Sequence, residues 1–133
     1  MNFLIIFMLN SFKELVQIAQ KLRGPNGCPW DRSRTLISLE KDFMEEAQEV
    51  RQALQKEDFA NLKEELGDTL FTIILMSLIA EDDGHFTLKD VFKGIQEKII
   101  RRHTWVFGKD KVSTPEEALV QWKKNKAKEK RKK

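Results

Sequence analysis

Glu45-Glu46-Ala47-Gln48-Glu49, followed by Glu65-Leu66-Gly67-Asp68, sets five carboxylates on two neighbouring segments that both read as helix. Glu46 and Glu49 are spaced i,i+3, as are Glu65 and Asp68, so each segment presents a pair of acids on one face. Acids converging between two helices repel unless something cationic sits among them. Hard oxygen donors suit Mg²⁺, Mn²⁺ or Ca²⁺. At about 100° per residue from Leu39, Phe43, Val50 and Leu54 form an apolar stripe with Glu46 in its middle. Glu49 borders that stripe and Glu45 points to the side. A carboxylate centred on a core-facing stripe needs a partner. On the second segment the expected stripe is Leu62, Leu66, Thr69 and Ile73, with Glu65 and Asp68 along one edge. A di-iron carboxylate bundle also turns acids inward, but it uses Glu-x-x-His pairs. His85 and His103 lie outside both motifs.

The elements that must position these acids read as helices. Ser11-Phe12-Lys13-Glu14 has the form of a capping box, opening a helix that ends near Gly24. Residues 24–34, GPNGCPWDRSR, form a loop rich in Gly and Pro. The second helix is expected from Thr35 to Gln55, and the third from an Asp58 cap to about Asp82, before Gly84. Thr87 with Asp90 opens a fourth, to about His103. Thr114-Pro115-Glu116-Glu117 supplies a cap, a proline at the first helical position and a capping box for a fifth. No strand alternation competes. The fold class is all-α, a helical bundle of four to five helices. Leu70–Ala80 is apolar nearly all round, which calls for a central position or burial by a second subunit. A homodimer or a dimer of dimers is expected.

The chain of 133 residues, 41% of them apolar and 34% charged, has room for one core. A single cysteine, Cys28, excludes an internal disulfide framework and fits a reducing compartment. No Cys/His cluster has zinc spacing. The net charge of +3 hides an asymmetry, because the basic residues crowd into KKNKAKEKRKK at 123–133. A solvated, fraying helix end is the common reason for such a run, and nucleic acid is not an expected partner. Phe3–Leu9 is apolar, too short to span a bilayer and without signal-peptide features, so a cytoplasmic protein with no membrane partner is expected. The domain reading is an apolar extension at 1–10, one functional domain at 11–122 and a basic tail at 123–133.

Lys98, Arg101 and Arg102 stand near the end of the fourth helix, with Lys98 and Arg102 on one face. Basic groups here suit a phosphorylated ligand. Trp122 and Lys126 repeat the i,i+4 spacing on the last helix, where a ring is able to stack on a base and an ammonium to reach a phosphate. Trp30 lies in the loop before the acidic helix. No glycine-rich phosphate loop is present.

Together, LRGPNGCPWD (22–31), EEAQE (45–49), KEELGDTLF (63–71), EKIIRRHTWVFG (97–108) and the later QWKKNK resemble the MazG family of nucleoside triphosphate pyrophosphohydrolases. The resemblance spans about residues 11–128. It implies the all-α NTP pyrophosphatase fold, a dimer, Mg²⁺ with Mn²⁺ as a substitute, and hydrolysis of NTP or dNTP to NMP and pyrophosphate in nucleotide-pool house-cleaning. By resemblance Glu46, Glu49, Glu65 and Asp68 hold the metal. Glu45 is the candidate to orient or deprotonate the attacking water, and Lys98, Arg101, Arg102, Lys126, Trp122 and Trp30 contact substrate. Thr104-Trp105 stands where Pro-His is usual after RRH, and Asn61 replaces a basic contact. The alternative reading is a non-catalytic helical module whose basic tail touches nucleic acid.

Overall fold

The structure, a computed structural model, describes residues 2–131. Among them are seven helices and no strand: α1 (Phe3–Arg23), α2 (Pro29–Ser33), α3 (Leu36–Gln55), α4 (Phe59–Asp82), α5 (Leu88–Arg102), α6 (Thr104–Phe107) and α7 (Pro115–Arg131). The chain divides into two compact units, Met1–Leu88 and Lys89–Lys133.

In the first unit, α1 starts earlier than the sequence suggests. Asn2 caps it by accepting from the Leu4 N–H at 3.1 Å. The expected start at Ser11 is corrected. Ser11 lies inside α1, and its hydroxyl donates to the Phe7 carbonyl at 3.1 Å. No glycine or proline interrupts residues 3–23, so extending one helix costs less than nucleating a second. Phe3–Leu9 are all exposed, whereas Phe12, Leu15, Val16 and Ala19 pack into the core. By length and composition alone α1 reaches that of a membrane span, with mean hydropathy 1.2.

The loop after α1 is held by backbone. Cys28 N–H donates to Leu22 O at 2.7 Å, and Asn26 takes the left-handed conformation at φ 60°. A Cβ on Gly27 would stand 2.3 Å from Leu22 O and 2.5 Å from Lys21 O, so only glycine fits there. Arg23 ties the loop down by donating to the carbonyls of Asp31 and Arg34. This fixes the entry into α3, where Thr35 and Ser38 cap each other reciprocally. Asp58 caps α4 as expected, accepting from Asn61 N–H at 3.1 Å.

The core joins Ala19 of α1 and Leu39 of α3 to Ile74, Leu75, Leu78 and Ile79 of α4. α3 packs along α4, and α1 packs against both α4 and α2. The stripe expected on α4 is rotated in the structure. Leu66 is 52% exposed and Ile73 37%, whereas Glu65 is only 8% exposed, with Thr72 buried on the same side. Leu54 at the end of α3 is also exposed. The stretch Leu70–Ala80, apolar nearly all round, carries almost no phase information, so the neighbouring helices choose the buried side. The second half of α4 is mostly enclosed within the chain, and the exposed large apolar residues of the helix are Phe59 at its start and then Leu66, Leu70 and Ile73.

In the second unit α7 begins as expected, with Thr114 accepting from Glu117 N–H at 3.2 Å. The short α6 is one of two additions to the five expected helices. The other is α2, which turns Pro29–Ser33 of the expected 24–34 loop into a single helical turn opened by proline at its first position. Thr104, where the family pattern has proline, donates to Asp110 Oδ2 at 2.6 Å and accepts from Asn125 Nδ2 at 2.9 Å. Buried Asn125 also donates to Arg102 O at 3.0 Å. These bonds join α5, α6 and α7 in a unit with few buried apolar groups.

Candidate metal centre

Glu46, Glu49 and Glu65 each offer a carboxylate oxygen within 4.8 Å of the others. The first two come from adjacent turns of α3, and Glu65 faces them from α4. The rotation of α4 makes the cluster, since it carries Glu65 onto the packed side. Asp68, one turn further on, is exposed but near enough for its charge to act on both Glu46 and Glu65. The Glu46 and Glu65 Oε2 atoms are buried and accept no hydrogen bond. Among the described residues no ion pair involves any of these four acids.

The electrostatics reflect that lack of compensation. The Glu65 carboxyl is pushed up to about 7 from 4.5, first by its hydrogen bond with Glu49, then by burial and the charges of Glu49, Asp68 and Glu46. Burial, and then the charges of Asp68 and Glu49, raise Glu46 as well. No basic group offsets either rise. Two buried, unpartnered carboxylate oxygens beside further acids are what a hard divalent cation satisfies, and the donor set is all oxygen. The residues present fit Mg²⁺ or Mn²⁺.

Glu45 lies outside the cluster, exposed on the flank of α3, where its Oε1 is 3.6 Å from Lys41 Nζ. It borders a surface groove of about 400 Å³ with Lys41, Met44, Gln48, Glu49 and Gln52. Glu49 belongs to both cluster and groove. Sequence reasoning gave no role to Met44, Gln48 or Gln52, although their helical spacing around the acidic motif was there to read. Trp30 is 67% exposed, with the Arg34 guanidinium 4.9 Å over its ring. Arg34 in turn donates to Ser38 O at 2.9 Å and pairs with Asp42.

In the second unit two cations stand over the Trp122 ring, Arg102 at 5.0 Å and Lys126 at 5.2 Å from its centre. His103, Trp105, Ala118, Leu119 and Trp122 line a groove of about 330 Å³. Lys98 is exposed. Arg101 and Arg102 are both committed to Glu129, at 2.8 and 2.9 Å. The two guanidiniums, Arg102 first, hold the Glu129 carboxyl down to about 2, and the carboxylate raises Arg102. The structure thus brings Glu46, Glu49 and Glu65 together with Asp68 beside them in one unit, and Arg102, Trp122 and Lys126 together in the other.

The family model for the MazG nucleotide pyrophosphohydrolase domain matches residues 34–107, which carry every acid of the cluster. The chain belongs to the MazG family. It is 43% identical, over 92% of its length, to the Thermotoga maritima nucleoside triphosphate pyrophosphohydrolase/pyrophosphatase MazG, and covers 46% of that protein. It is 37% identical, over 91% of its length, to the nucleoside triphosphate pyrophosphohydrolase of Escherichia coli K12, covering 46%. Against the uncharacterized protein YabN of Bacillus subtilis the figures are 44% over 86%, covering 24%. The chain therefore spans about a quarter to a half of the length of these relatives. The crystal structure of a mazG-related protein from Thermotoga maritima superposes with a TM-score of 0.72 at 34% identity, covering 86% of this chain and 98% of that one. The all-α architecture is that of the MazG relatives.

Proposed function

We propose that this MazG chain is a nucleoside triphosphate pyrophosphohydrolase that hydrolyses NTP or dNTP to NMP and pyrophosphate. One observation carries the reading: Glu46, Glu49 and Glu65 converge within 4.8 Å, with two buried oxygens unpartnered and no cationic side chain to offset them. Glu46, Glu49, Glu65 and Asp68 would hold Mg²⁺, or Mn²⁺ in its place. When bound, such an ion neutralises phosphate charge and acidifies water. Glu45, at the edge of the cluster but outside it, orients the water that attacks the α-phosphorus and takes its proton. Pyrophosphate is the leaving group. Lys98, Arg101, Arg102 and Lys126 are assigned to phosphate charge, and Trp122 and Trp30 to the nucleoside, on the strength of their charge and ring chemistry. Cytoplasmic nucleotide-pool house-cleaning is the role that suits this reaction.

Assembly follows from the exposed apolar residues of α4. Leu66, Leu70 and Ile73 stand one helical turn apart, and self-association across them gives a homodimer or a dimer of dimers. The deciding experiment is hydrolysis in ¹⁸O-water with and without Mg²⁺, using a panel of canonical and modified (d)NTPs. Mg²⁺-dependent pyrophosphate with label in the NMP supports the proposal. NDP with orthophosphate overturns the bond assignment. Absence of turnover across the panel leaves the non-catalytic helical module in its place.

A further inference from the structure

The C-terminal half of α7 segregates its charges. Taking about 100° per residue, Lys123, Lys124, Lys126, Lys128, Lys130 and Arg131 occupy roughly 200° of arc, and all six are exposed. The opposite arc holds Gln121, Trp122, Asn125 and Glu129, none of them exposed. The one acid in this stretch is therefore turned inward. Glu129 Oε1 accepts from Arg101 Nε at 2.8 Å and Arg102 Nε at 3.2 Å, and its Oε2 accepts from Arg102 Nη2 at 2.9 Å. Its charge is more than balanced by those two guanidiniums, so it subtracts nothing from the outer face.

We propose that the outer face of α7 is a docking surface for the phosphodiester backbone of nucleic acid, with Lys123, Lys124, Lys128, Lys130 and Arg131 facing the phosphates. A lipid surface is the weaker match. From Lys123 to Arg131 the arc contains Ala127 and no larger apolar side chain; Leu119 and Val120, exposed one turn earlier, are too few to anchor it in hydrocarbon. A duplex offers one charge per about 1.7 Å, and the nine residues from Lys123 to Arg131 rise about 13 Å, enough to face several phosphates. The arc has no Asn or Gln to read adenine and no acid to read cytosine, and its Lys and Arg side chains are exposed charges held by no neighbour in a base-reading geometry. The binding is therefore dominated by phosphate charge, weak in sequence preference and steep in salt. This surface is distinct from the acidic cluster and does not rest on the hydrolase reading.

The test is fluorescence anisotropy of the full chain with labelled duplexes of about 20 base pairs and unrelated sequences, in rising salt. Wild type binds all sequences alike, and its affinity falls about 10²-fold between about 50 and 200 mM salt if four phosphates are contacted. The joint substitution Lys123→Gln, Lys124→Gln, Lys128→Gln and Lys130→Gln weakens binding at least about tenfold and flattens the salt slope, with circular dichroism unchanged. If that variant loses helicity, Lys124→Glu alone gives a smaller loss in the same direction. Failure of wild type to bind at low salt, salt-independent binding, or equal binding by a folded variant overturns the proposal. So does capture by phosphatidylglycerol vesicles with no binding to duplex.

Discussion

Adding Mg²⁺ to the protein should raise its melting temperature, and by much more at about pH 8 than at about pH 5.5, because the proton on Glu65 and the metal compete for one carboxylate. Unfolding entropy of about 2.1 cal/mol/K per residue over 133 residues makes each kcal/mol worth about 3.5 K. Metal at a hundredfold excess over its pH 8 dissociation constant adds about 2.7 kcal/mol, or about 10 K. With Glu65 titrating at about 7, only about 3% of it is ionised at about pH 5.5. Apparent affinity then falls about 30-fold, and the same Mg²⁺ gives about 3 K. The metal-free protein moves the other way. Glu65 is raised above 4.5, so its folded form binds more protons than the unfolded chain between 4.5 and about 7, and stability declines as pH rises through that window. Differential scanning calorimetry in EDTA and in Mg²⁺, at both pH values, reads both trends. In Glu65→Gln both should flatten. Equal Mg²⁺ increments at the two pH values, or none at about pH 8, refute the reasoning.

Further outcomes follow from the same geometry. Glu46→Gln or Asp68→Asn should cost about 10²–10³-fold in kcat with far-UV circular dichroism unchanged; wild-type turnover at saturating Mg²⁺ would sink the ligand assignment. Gly27→Ala places a Cβ 2.3 Å from Leu22 O and should destabilise by about 1–3 kcal/mol, read as a drop in urea midpoint. Glu129→Gln leaves Arg101 and Arg102 without their partner and should lower hydrogen-exchange protection in α7. In wild type the Glu129 contribution is present above 4.5 and is lost as pH falls through about 2. If self-association runs across the exposed side of α4 as proposed, Ile73→Asp should give a folded monomer in light scattering where wild type gives a dimer or larger assembly. Ile74→Asp, at a site only 1% exposed within the chain, should prevent folding at any protein concentration.

Much of the local structure is determined by the sequence alone, because it depends on neighbours in the chain. The caps at Thr35, Asp58 and Thr114 bond to backbone N–H groups three residues away, and the structure has all three. Spacing of i,i+3 likewise puts Glu46 and Glu49 on one side of α3 whatever that side packs against. Even here the Ser11 signal misled, since a capping motif starts a helix only where the preceding residues are not already helical. Tertiary structure decided what local spacing leaves open. Leu70–Ala80 of α4 is apolar on nearly every side, so that stretch does not select a buried face by itself. Packing against α1 and α3 selects the one that carries Glu65, while Leu66 and Ile73 stay exposed. That rotation turns two acidic motifs into one cluster with buried, unpartnered oxygens. The same holds for α7, where composition shows a basic run, but only the pairing of Glu129 with Arg101 and Arg102 clears its outer face of negative charge. Periodicity records which residues share a side of a helix, and only contacts between helices determine which side is inward.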